Sequence, residues 1–177
     1  MSKNIEKKNN NKGLIIGLIA VICILLLYII IDKSNVVDSN IHKLEEAGYI
    51  KQDDGNYKLI KSDSAGLEDK DDSLVMKDYI IIKGDYSKIT EHFEWRVDNK
   101  DNYWNDWYDY EYSPASNIAK GSFTEGTKKG SMPSIYSATY DFNNGSLICD
   151  APSSRCNAYV QKFIDLKENY YSVIENK

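Results

Sequence analysis

The sequence predicts an α+β protein: an N-terminal transmembrane helix, then a single antiparallel-sheet domain with a juxtamembrane helix and a C-terminal helix packed on the sheet. Three observations predict it. An uncharged apolar run stands near the N-terminus, a central stretch alternates apolar with polar residues, and three- and four-residue apolar spacing governs the last twenty or so positions.

Residues 13–31 (GLIIGLIAVICILLLYIII) contain neither charge nor proline. As a helix they are about 28 Å long, close to the hydrocarbon thickness of a bilayer. Lys3, Lys7, Lys8 and Lys12 precede the run against Glu6 alone, and Asp32 and Lys33 follow it. The positive flank predicts a cytoplasmic basic tail at 1–12 and a single pass through the cell membrane, with the C-terminal domain extracytoplasmic. Bulky residues at 25–31 stand where a cleaved signal peptide needs small ones, so a retained signal-anchor is expected. Ile22 before Cys23 and eight apolar residues after it make Cys23 an ordinary span residue rather than a lipidation site.

The first 31 residues hold four of the basic groups and one acid, leaving residues 32–177 with 18 basic and 26 acidic groups, net −8. That charge argues against nucleic acid and other polyanions as partners. A chain of this length supports one hydrophobic core.

Within 32–61, Val36, Val37, Ile41, Leu44 and Ala47 recur at helical spacing with Gly48 as the stop, predicting a juxtamembrane helix over 35–47. A hairpin follows, turning at Asp54-Gly55. The run LEEAGYIKQDDGNYKLI resembles the last helix and wing of winged-helix DNA readers, but it is acidic and follows no basic recognition helix. Residues 62–73 (SDSAGLEDKDDS) read as a solvated acidic loop. Asp69, Asp71 and Ser73 alternate as in a calcium loop, yet Leu74 stands where that loop needs glycine, so no metal site is expected.

Residues 74–177 form the expected extracytoplasmic α+β domain. After a strand at 75–83, the stretch 88–97 places Ile89, Phe93, Trp95 and Val97 on one face and Thr90, His92, Glu94 and Arg96 on the other. A turn at 98–102 leads to 103–112, where Trp104, Tyr108, Tyr110 and Tyr112 share the core face and Trp107, Asp109 and Glu111 oppose them. A weaker strand at 117–125, a loop at 126–134 and a strand at 135–142 follow. Asn143-Asn144-Gly145 then turns the chain into 146–149; it reads as a hairpin turn rather than a glycosylation acceptor. Cys156, Tyr159, Val160, Phe163, Leu166, Tyr170 and Ile174 mark the terminal helix.

Outside the cytoplasm Cys149 and Cys156 are expected to form a disulfide, adding roughly 2.5 kcal/mol on the chain-entropy model. No hydrolase elbow, Ser-x-x-Lys dyad or metal helix occurs in the sequence, and no cofactor is implied. The densest aromatic composition lies at 103–112, and Trp107, with Tyr103, Asp109 and Glu111, is the expected partner-binding set. The reading is a membrane-anchored interaction domain of a bacterial cell envelope that binds a protein or glycan partner without catalysis.

Two alternatives rest on resemblance. An apolar N-terminal helix passing into an amphipathic one and then a sheet is similar to pilin-like structural subunits, although Leu18 stands where a glutamate should follow a Gly13 processing site. The strand-terminal Cys149, with Arg155 after it and His92 upstream, resembles a sortase-like thiol transpeptidase; no Thr-Leu-x-Thr-Cys run precedes the thiol.

Overall fold

The computed structural model describes residues 11–69, 72–98, 103–126 and 132–174. The tail at 1–10, the turn at 99–102, and the side chains of Asp69, Asp71, Ser73, Tyr103 and Trp104 lie outside the described set. The chain divides into two compact units, 1–41 and 42–177.

Helix α1 (Asn11–Glu46) begins in the first unit, where it exposes Ile15, Leu18, Ile22, Leu25 and Ile29. Among the described residues it is the one helix long and apolar enough to cross a membrane. The expected juxtamembrane helix continues directly from the span. Asp32, Lys33, Ser34 and Asn35 include no glycine or proline to break the backbone ladder, so α1 runs on to its stop. Gly48 supplies that stop at φ 87°; its N–H donates to the Glu45 carbonyl, and Tyr49 N–H donates to Leu44.

The second unit is an eight-stranded antiparallel meander in which each strand pairs with the next. Its strands are β1 (Ile50–Lys51), β2 (Tyr57–Asp69), β3 (Asp72–Ile82), β4 (Ile89–Asp98), β5 (Tyr103–Ser113), β6 (Ile118–Gly126), β7 (Ser134–Asp141) and β8 (Ser146–Cys149). Helix α2 (Ser153–Val173) completes the chain. The Asp54-Gly55 and Asn144-Gly145 turns form as their residues suggest, with Gly55 at φ 82° and Gly145 at φ 71°.

The acidic segment 62–73 corrects the loop expected there. Its described residues extend β2 and β3, with rungs from Ser62↔Asp78 to Gly66↔Leu74 and Asp69↔Asp72. Ladder hydrogen bonds join backbone groups whatever the side chains, so the β-rich stretch before Ile82 templates the polar arm opposite it. The first hairpin is thereby part of the main sheet.

Register assigns the two faces. One face carries Ile89, Tyr112 and Ala119 on one rung, Glu91, Tyr110, Gly121 and Ala138 on the next, and Phe93, Tyr108, Phe123 and Tyr136 on a third. α2 covers this face with Cys156, Tyr159, Phe163, Leu166, Tyr170 and Val173. Tyr159 stacks on Phe123 at 3.3 Å between centroids, and Phe163 meets Tyr110 edge-on at 6.0 Å. A Cβ at Gly121 would stand 2.6 Å from the Phe123 ring and 3.1 Å from Phe163, so the bare backbone makes room for both rings. Trp95, expected in this core row, is 41 % exposed; its rung continues with Asp106 and Glu125, where the apolar layer ends.

Glu91 interrupts the core face. A register shift between Ile60 and Ser62 places Lys61 so that its ammonium reaches the Glu91 carboxylate at 2.5 Å.

Candidate functional site

The face of the sheet away from α2 holds a trough of about 680 Å³. Strand alternation builds it from two adjacent rungs. The first is Tyr79, His92, Asp109, Ser122 and Ser137; the second is Ile81, Thr90, Glu111, Lys120 and Thr139. Ser122, Ser137 and Thr139 are the small side chains of its lining on β6 and β7, and Gly121 and Ala138 also line it.

The first rung is bonded across the strands. His92 Nδ1 stands 2.7 Å from Asp109 Oδ1. A carboxylate only accepts, so Nδ1 carries the proton and Nε2 is the ring's remaining polar atom. Tyr79 stacks on His92 at 4.9 Å, and Lys58 lies 4.1 Å above the Tyr79 ring. Burial, and then the Asp109 charge, raise the Tyr79 phenol above its ordinary pKa. At the other end the Ser137 N–H and hydroxyl both donate to the Asp150 carboxylate, which holds that group below the usual carboxylate range. In the second rung Lys88 pairs with Glu111 at 2.6 Å.

Of the residues expected to contact a partner, Asp109 and Glu111 line this trough. Trp107 occupies the next position along the same face of β5, half-buried, on a rung with Glu94 and Thr124. Tyr103 opens β5 opposite Asp98, and its side chain lies outside the described set. The sequence offered Thr90 and His92 as the non-core face of β4. Tyr79, Lys120, Ser122 and Ser137 were missed as members of the site, because only register sets them beside Asp109.

Cys149 and Cys156 form the disulfide, with their α-carbons 6.0 Å apart. The bridge ties the end of β8 to the first turn of α2. The residues behind the thiol-enzyme resemblance are thus otherwise engaged: Cys149 carries no thiol, Arg155 pairs with Glu125, and His92 pairs with Asp109. No group of three or more His, Cys, Asp and Glu suited to a metal ion occurs among the described residues.

Comparison with protein-family models, with curated proteins and with solved structures finds no match.

Proposed function

We propose that this chain is a non-catalytic, membrane-anchored binding module, its N-terminus cytoplasmic and its sheet domain held in the bacterial cell envelope. The open sheet face is its contact surface. The observation that carries this reading is the one-sided packing of the sheet: α2 covers one face, and the other presents a trough with Asp109 and Glu111 in its lining and Trp107 beside it. The Cys149–Cys156 bridge supports an oxidising compartment for this unit.

Trp107→Ala should weaken capture of the native envelope partner at least tenfold and leave the melting temperature of the domain unchanged. Undiminished capture would remove Trp107 from the contact surface. A second reading, a pilin-like structural subunit, is favoured by the unbroken run of α1 from Asn11 to Glu46; a mature N-terminus at Leu14 would select it.

A further inference from the structure

We infer that the trough on the open face binds a neutral, extended glycan lying across the strands. This rests on the reading of that face as the contact surface and names what it contacts.

The first observation is direction. The lining comes from two rungs repeated over five consecutive strands, β3 to β7, so the long axis runs perpendicular to the chain. Four inter-strand spacings of about 4.8 Å make it about 19 Å long. One strand spacing is close to the length of one sugar ring, so an extended oligosaccharide would place successive rings over successive strands. A peptide adding to a sheet pairs with an edge strand and runs parallel to it, which this orientation does not offer.

The second observation is chemistry. Side chains on the two rungs supply hydroxyls from Thr90, Ser122 and Thr139, carboxylates from Asp109 and Glu111, the His92 imidazole and the Lys120 ammonium. A sugar hydroxyl both donates and accepts, so it can use acids and bases interleaved in this way. Ile81 is the aliphatic side chain among these rung positions, whereas peptide hot spots need apolar pockets for anchors. Trp107, one position beyond Asp109 on the same face, offers an aromatic surface for a ring at the margin.

The third observation is charge. Glu111 is matched by the Lys88 ammonium, and Asp109 accepts the His92 Nδ1–H, so both acids are held as oriented hydrogen-bond acceptors. Residues 32–177 carry net −8, which disfavours acidic polymers.

The test uses the full chain in detergent micelles, titrated with chitohexaose and cellohexaose as neutral probes and with an oligogalacturonate as the acidic one. A neutral probe should bind, with affinity rising up to about four rings, the span of the trough. Ser122→Trp, which fills the trough from an exposed position, should weaken binding at least tenfold, whereas Asn157→Trp on the exposed side of α2 should not. Absence of neutral binding, preference for the acidic probe, or binding indifferent to Ser122→Trp overturns the assignment. Capture of the envelope partner separates the two failures. If Ser122→Trp abolishes capture while no glycan binds, the ligand class is wrong and the contact face stands; if it moves neither, both fall.

Discussion

Asp78 shows what a single side chain reports about this sheet. It lies on the α2 face, paired in register with Ser62 and Phe93, and its Oδ1 and the Ser62 hydroxyl are both buried without a hydrogen-bond partner. Burial raises its pKa above the ordinary 3.8; Glu91 raises it further, and Lys61, Lys162 and His92 oppose the shift. A carboxyl whose folded pKa is raised favours folding fully below its unfolded value, and that contribution is lost as pH rises through the folded value. Asp78→Asn removes the loss. The variant should melt above the parent at about pH 7, and the two should converge at about pH 3, where both side chains are neutral. A lower melting temperature for the variant at about pH 7 would show that the Lys61 and Lys162 attractions outweigh burial. At this scale the sequence was partly legible. The apolar face of β4 was read from its alternation, but Glu91 within it went unremarked, and its partner Lys61 depends on a register shift that no local pattern announces.

Among the elements, α2 was the most legible, because six of its buried side chains recur with a regular helical period. The acidic arms of β2 and β3 were the least legible, since composition reports solvation and not ladder pairing. The Cys149–Cys156 bridge joins β8 to α2 across a separation of seven residues. It fastens the start of α2 to the edge of the sheet, beside the Tyr159–Phe123 stack. Reduction, or the Cys149→Ser and Cys156→Ser double variant, should lower unfolding stability by about 2.5 kcal/mol on the chain-entropy model. Urea unfolding with and without reductant measures this, and an unchanged midpoint would show that packing of α2 alone holds the helix start in place.

For the whole molecule the governing feature is α1, whose large apolar side chains from Ile15 to Ile31 are exposed. Protease added to intact cells should digest 42–177 and spare a tag placed at the N-terminus. Loss of the tag with survival of the domain would reverse the proposed orientation and withdraw the envelope partner. Hydropathy, strand alternation and helical spacing by themselves determined the apolar span, most of the strands and the terminal helix. Each of these depends on side chains a few positions apart. The trough was decided only by tertiary structure: Tyr79, His92, Asp109, Ser122 and Ser137 come from five strands, and the register that aligns them is a property of the folded ladder.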